Sequence, residues 1–393
     1  MKPKIAAEAL NAPLSRRNLL IAVADSTLAC LGSLSGTEKK AGSFEVRTSQ
    51  DTGWNIFQRK GWSTRPQDIS VNYRYLDQMH EAGLNWLIVF WTNAPEFEEA
   101  WVKASTYAHS LGFRVARACY VFASGEPETT MAEPNAPPHL LRMSPSGKKV
   151  GLCPHDPETR EWVAKTLAKR LQPGMDGIVF EPPPETSRNC NCDQCRSFSR
   201  FQLDAFMANF VTEQLKKIKP DVEVMLHMND TGGRAISQAM AAGLQVLSNS
   251  IHYIFGWNTD DEASFTAWLD ADPRFQPFTH LSRAILFPEG KASPLSIEER
   301  AAKAFRWARL AADRGKKAYS YDWRYFAGTE WKGHEREPPT TRLSARMPAS
   351  MALMGATMND PYLDEKGQRE LLRNLRATTE WDLEDPKLFY RGI

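Results

Sequence analysis

From Trp54 to Asp322, short runs of β-branched and aromatic residues alternate with amphipathic stretches of roughly ten to twenty residues. Eight such runs predict strands: "WNIF" at 54–57, "NWLIVFW" at 85–91, "FRVARACYV" at 113–121, "GIVFE" at 177–181, "VEVMLH" at 222–227, "LQVLSN" at 244–249, "LSRAILF" at 281–287 and "KAYSYD" at 317–322. Between them, "NYRYLDQMHEAG", "PETREWVAKTLAKRL", "RFQLDAFMANFVTEQLKKI" and "IEERAAKAFRWARLAADRG" carry the spacing of helices with one apolar face. Gly83, Gly112, Gly243 and Gly315 each follow a predicted helix and precede a strand, where a residue without Cβ can end the helix in the left-handed conformation.

Strict strand–helix alternation makes parallel β-α units. Eight of them predict an α/β fold, a (β/α)8 TIM barrel over residues 43–393, with long loops after strands three, four, six and eight. In such a barrel those loops all lie at the C-terminal face of the strands, where active sites are built. A doubly wound open sheet is the competing topology. No Gly-x-Gly-x-x-Gly follows any strand, so that topology would lack the turn that holds a dinucleotide, and no organic cofactor is expected.

The N-terminus breaks the rhythm. "LSRRNLLIAVADSTLACLG" places Arg16 and Arg17 behind Ser15 and ahead of Leu19 and Leu20, the core of a twin-arginine export signal, and "SLSGTEKKAG" follows as a polar linker. Residues 1–42 are therefore expected to be signal and linker, with a periplasmic or extracellular destination. Asp25 inside the apolar stretch fits an ordinary amphipathic leader instead, and Cys30 is a minority candidate for a lipid anchor.

Composition narrows the partners. Forty-nine basic against 47 acidic residues leave a net charge of +2, with no basic run to grip nucleic acid. No apolar run approaches the roughly 20 residues that cross a bilayer, so the mature chain is expected to be soluble.

The chemistry-bearing residues gather at predicted strand ends. Glu181 closes strand four, where a barrel mouth can desolvate a carboxyl and keep its proton for a leaving oxygen, and three prolines follow at once. Glu185 stands four residues on. Glycosidic hydrolysis needs a second carboxylate, as nucleophile or as base for water. Glu289, just past predicted strand seven, is the first choice and Asp322, closing strand eight, the other. Trp91, Asn93, His227, Asn229, His252, Trp257, Trp323 and Arg324 also fall at strand ends or in the loops beyond. Aromatic plates beside hydrogen-bonding groups suit a pyranose, which has an apolar face and a hydroxylated rim.

Cys190, Cys192 and Cys195 form C-x-C-x-x-C, and Cys153 lies in the preceding strand-to-helix loop. Four sulfurs meeting there could hold a structural zinc or form two disulfides, and free thiols are the bland alternative. One intervening residue strains a 190–192 disulfide, which favours zinc. Cys119, inside strand three, is read as a small buried residue.

The order "LCPHDPETREWVAKTLAKRL", "GMDGIVFEPPPE", "CNCDQC" resembles a family of bacterial glycoside-hydrolase-like TIM barrels. In that family a Cys-Pro segment, a helix, an Asp-Gly-Ile-x-x-Glu/Asp strand and a Cys-x-Cys-x-x-Cys loop follow one another. It is also similar to the barrels of α-glucuronidase-like enzymes. The resemblance spans roughly residues 150–200, the rest matching only as a barrel rhythm. It implies that Glu181 is the general acid; no motif marks its partner. Two other functions stay open: a non-catalytic glycan-binding barrel, and a metal-dependent hydrolase, for which the histidines lack H-x-H or H-E-x-x-H spacing.

Overall fold

Eight parallel strands hydrogen-bond into a closed ring. In chain order they are β1 (Val46–Asp51), β2 (Trp86–Val89), β3 (Arg114–Cys119), β4 (Gly177–Phe180), β5 (Glu223–Met228), β6 (Ile251–Trp257), β7 (Phe275–His280) and β8 (Ala318–Asp322), each paired with its neighbours in sequence and β8 with β1. The computed structural model describes residues 42–51, 56–59, 66–89, 97–119, 121–122, 136–143, 147, 149–171, 174–182, 190–228, 246–257, 262–280, 295–322, 346–381 and 383. These belong to the unit Lys40–Ile393; the other unit, Met1–Lys39, with Arg16, Arg17 and Cys30, lies outside the described residues.

Around the ring stand α1 (Tyr73–Glu81), α2 (Glu98–Ser110), α3 (Pro157–Arg170), α4 (Arg200–Ile218), α5 (Glu262–Ala271), α6 (Ile297–Asp313), α7 (Ala349–Asn359) and α8 (Glu365–Thr378). Their starts follow from local chemistry. Ser199 with Gln202, and Ser296 with Glu299, form reciprocal capping boxes, while Asp156 caps α3 ahead of Pro157. Gly83, Gly112 and Gly315 take positive φ where helices turn into strands, whereas Gly243 lies outside the described residues.

Side chains alternate across each strand, and the barrel sorts them. Val46, Trp86, Ile88, Ala116, Ala118, Val179, Met225, Phe255, Phe278 and Ala318, drawn from all eight strands, pack together inside the ring. Their neighbours, such as Leu87, Val115, Ile178, Phe180, Leu226 and Ile254, pack outward against the helices. Large and small residues interlock within the interior. A Cβ on Gly177 would meet the Trp86 ring and the Glu223 carbonyl oxygen, each at 3.1 Å, so the indole reaches β4 where a glycine leaves it room.

Three predicted strands are displaced. The first is Val46–Asp51, not 54–57; Phe57–Arg59 instead pairs antiparallel with Ile69–Val71 in a small hairpin beyond β1. β1 reads as polar because Thr48 and Ser49 are fully buried, Thr48 Oγ1 donating to the Trp86 carbonyl at 3.1 Å. The sixth strand is Ile251–Trp257, not 244–249. The latter segment ends in a turn held by Asn209, which accepts from Ser248 N at 2.6 Å and donates to the Val246 carbonyl at 2.7 Å.

The seventh strand is Phe275–His280. Its Gln276 and Pro277 disguise it, since proline in a run argues against a strand. Gln276 is buried and satisfied: its Oε1 accepts from the backbone of Lys317 and Ala318 at 3.1 and 3.0 Å.

The long connections run as expected from strand ends to helix starts, at the C-terminal face, after β3 and β4 and also after β1, β7 and β8. The long connection predicted after strand six is corrected, because β6 lies later in the chain and α5 begins at Glu262; residues 258–261 between them lie outside the described residues. The chain after β8 adds two helices. α7 is buried on every side from Ala349 to Met358 and packs so closely on α1 that a Cβ on Gly355 would fall 1.7 Å from the Ala82 carbonyl oxygen.

Candidate active site and cysteine cluster

Glu181 follows β4 directly, and the alternation that sends Val179 inward and Phe180 outward turns Glu181 inward. The residue is only 2% exposed. On the adjacent β5, His227 shares the inward face with Met225 and brings Nδ1 to 3.5 Å from Glu181 Oε2. Phe278 of β7 meets the imidazole in an edge contact at 4.6 Å. Carboxyl and imidazole thus face one another at the C-terminal end of the barrel, above a floor of Val179, Met225 and Phe255. Two such groups can pass or hold a proton without stranding a lone charge in an apolar site.

His252 is corrected. It begins β6, at the opposite end of the barrel, and its Nδ1 accepts from Val224 N at 3.3 Å. The misplaced sixth strand had put it in a C-terminal loop. Trp257 ends β6 in register with Phe278, and Asp322 ends β8 in register with His280 of β7 and Gln50 of β1. Both backbones therefore stand at the same end as Glu181. β7 closes at His280, and Glu289, with Trp91, Asn93, Glu185, Asn229, Trp323 and Arg324, lies outside the described residues.

Cys153, Cys190, Cys192 and Cys195 come together as a cluster with all four Sγ atoms within 4.8 Å of one another. Cys153 Sγ lies 3.8 Å from Cys192 Sγ and 3.9 Å from Cys195 Sγ. The backbone follows the sulfurs closely. Cys192 caps a one-turn helix, Asp193–Arg196, and accepts from Cys195 N at 3.4 Å, while Cys190 Sγ accepts from Cys192 N at 3.4 Å. His155 Nδ1 approaches Cys195 Sγ at 3.5 Å, and its ring stacks on Phe206 at 4.6 Å.

The bare thiols compete for charge. Hydrogen bonding from Cys195 is the main cause that brings Cys153 down to about 5, and burial pushes Cys190 up to about 12. Cys195 rises far above the ordinary thiol range, first through its bond to the Cys153 sulfur and then through burial.

At the N-terminal end of the barrel an ion pair sits on the same inward faces. Arg114 of β3 bonds Glu223 of β5, and its guanidinium lies 4.4 Å over the Trp86 ring. The Tyr253 phenol beside them is pushed up to about 12, by burial first and then by the Glu223 charge. Sequence reasoning passed over this pair because nothing in the spacing of 114 and 223 brings them together.

No family profile and no curated relative matches the chain. Several solved structures align with part of it. A GH36 α-galactosidase from Geobacillus stearothermophilus in complex with stachyose aligns over 81% of this chain and 42% of its own, at 10% identity and a TM-score of 0.47. A Flavobacterium johnsoniae chitobiase covers 88% and 52% at 11% identity, TM-score 0.48. A GH10 structure from Paenibacillus barcinonensis covers 72% and 85% at 10% identity, TM-score 0.45. The chain spans less than half the length of the α-galactosidase it aligns with. Among the described residues no helix is long and apolar enough to cross a membrane.

Proposed function

We propose that this barrel hydrolyses glycosidic bonds of an oligo- or polysaccharide, with Glu181 as the general acid. One observation carries the reading: a carboxyl that is 2% exposed, turned into the barrel at the C-terminal end of β4 and faced by His227 at 3.5 Å. A carboxyl group so removed from water can deliver its proton to a glycosidic oxygen as the bond to the anomeric carbon breaks. His227 is a positioning residue in this scheme, holding the carboxyl from the neighbouring strand. Asp322, whose backbone stands at the same end of the barrel, supplies the second carboxylate, acting on the anomeric carbon or on the attacking water. Trp257, at the end of β6, is the proposed aromatic wall for the sugar.

The Arg16–Arg17 motif supports export of the chain to a periplasmic or extracellular glycan. Residues 1–42 act as signal and linker in that proposal, ahead of a single catalytic barrel. A fusion of the leader to a reporter, with Arg16 and Arg17 both changed to Lys, tests it; a reporter exported equally with and without the pair would refute the route.

The decisive experiment compares natural glycans, whose leaving groups need a proton, with activated aryl glycosides, whose leaving groups do not. Glu181→Gln should cut kcat on the natural substrates by about 10²–10⁴ and spare the aryl glycosides. Equal activity of Glu181→Gln and the parent on both would end the acid assignment. Asp322→Asn and Glu289→Gln tested in parallel identify the partner, because its loss slows both substrate kinds.

A further inference from the structure

The cysteine cluster is the most organised group outside the Glu181 site, and nothing in the proposed hydrolysis uses it. A zinc ion bound by four thiolates at about 2.3 Å in tetrahedral geometry places its sulfurs about 3.8 Å apart. The Cys153 sulfur already stands at 3.8 and 3.9 Å from those of Cys192 and Cys195, and all four lie within 4.8 Å of each other. A disulfide joins sulfurs in exclusive pairs, whereas Cys153 here is nearly equidistant from two.

The surroundings make a second and independent case. Backbone N–H groups point at Cys190 Sγ and Cys192 Sγ, and the His155 ring nitrogen approaches Cys195 Sγ. The two backbone donors aimed at sulfur stabilise negative charge there, and buried negative charge needs a cation. Three of the four cysteines are buried. No lysine or arginine bonds the cluster among the interactions seen for the described residues.

We propose that Cys153, Cys190, Cys192 and Cys195 bind one zinc ion as a closed tetrathiolate site. Four protein ligands leave no open position, so the ion does no chemistry on a substrate. It staples two connections of the catalytic face. Cys153 lies in the chain between β3 and α3, three residues before the cap Asp156, and the other three cysteines lie between β4 and α4. Only nine positions separate Glu181 from Cys190, so the ion anchors the far end of the segment that leaves the acid. Binding releases the thiol protons to solvent, and no electron is exchanged.

The test uses the full chain with Cys30 and Cys119 changed to Ser, which leaves these four as the only thiols among the six cysteines of the sequence. Elemental analysis should find one zinc per chain. All four thiols should resist alkylation until a strong chelator removes the metal and then react together. Cobalt substitution should give the thiolate charge-transfer and d–d bands of a tetrahedral site. Cys192→His, at the half-buried position, should keep one metal per chain with a weakened charge-transfer band, whereas Cys195→Ser should lose it.

A metal-free preparation whose four thiols alkylate without chelator would overturn the proposal. So would two disulfides found by intact mass, or iron in place of zinc. Because the readouts are metal content and thiol reactivity, the result is independent of whether any glycan is cleaved.

Discussion

The two ends of this barrel each carry an acid–base pair on inward strand faces, the one at the C-terminal end buried and the other partly exposed, and they are built to opposite specifications. At the N-terminal end, Arg114 bonds Glu223 directly and is backed by Trp86. The charges there neutralise each other, and the short connections around them are helix-to-strand turns. At the C-terminal end, Glu181 and His227 stand 3.5 Å apart over apolar residues, within the ring of long connections. A tight ion pair serves stability, whereas a carboxyl that keeps a looser partner remains able to exchange a proton. The difference teaches that the same strand geometry sets a close, partly exposed ion pair at one end and a buried carboxyl–imidazole pair at the other.

Substitutions at each end sharpen that contrast. The largest effect is expected from Glu181→Gln, with kcat on natural glycans down by about 10²–10⁴ while unfolding free energy moves by no more than about 1 kcal/mol. Chemical denaturation run beside the kinetics checks both halves; a severe stability loss with activity intact would make Glu181 the structural acid. His227→Gln should lower kcat on natural glycans by about tenfold and spare the activated aryl glycosides, whereas loss of a purely structural histidine would slow both alike.

Smaller effects belong to the other end. Gly177→Ala forces a methyl against Trp86 and the Glu223 carbonyl oxygen, and should cost about 1–3 kcal/mol without altering the pH profile. Glu223→Gln removes one partner of a pair whose arginine is 43% exposed, so the expected loss is about 1 kcal/mol, read as a lower midpoint in urea. His252→Ala, at an exposed position beside Val224, should change neither kcat nor stability by a measurable margin, about 0.5 kcal/mol at most. A large activity loss there would contradict the placement of β6.

Much of this was legible in the chain. Helices α1, α3, α4 and α6 lie where apolar spacing predicts, and α1 and α6 end at the predicted Gly83 and Gly315, because those signals act over one or two turns. β4 and β8 stand out as apolar or aromatic runs beside glycine and lysine breaks. β1, β6 and β7 do not. Their polar residues, such as Thr48, Gln276 and Pro277, gain acceptable surroundings only from strands and helices distant in sequence. α7 likewise lacks amphipathic spacing because every face is covered.

For the site, the sequence determined that Glu181 follows a buried strand at a loop-rich end and that three cysteines share one tight turn. Those are consequences of nearest-neighbour chemistry: residue order sets strand parity and loop direction. Only the tertiary structure decided that His227 faces Glu181, that Cys153 completes the sulfur cluster, that His252 belongs to the opposite end, and that Arg114 finds Glu223 across the barrel. Each of those meetings depends on the register between strands and on the packing that closes the ring. Register is a property of pairs of segments, and no single segment contains it.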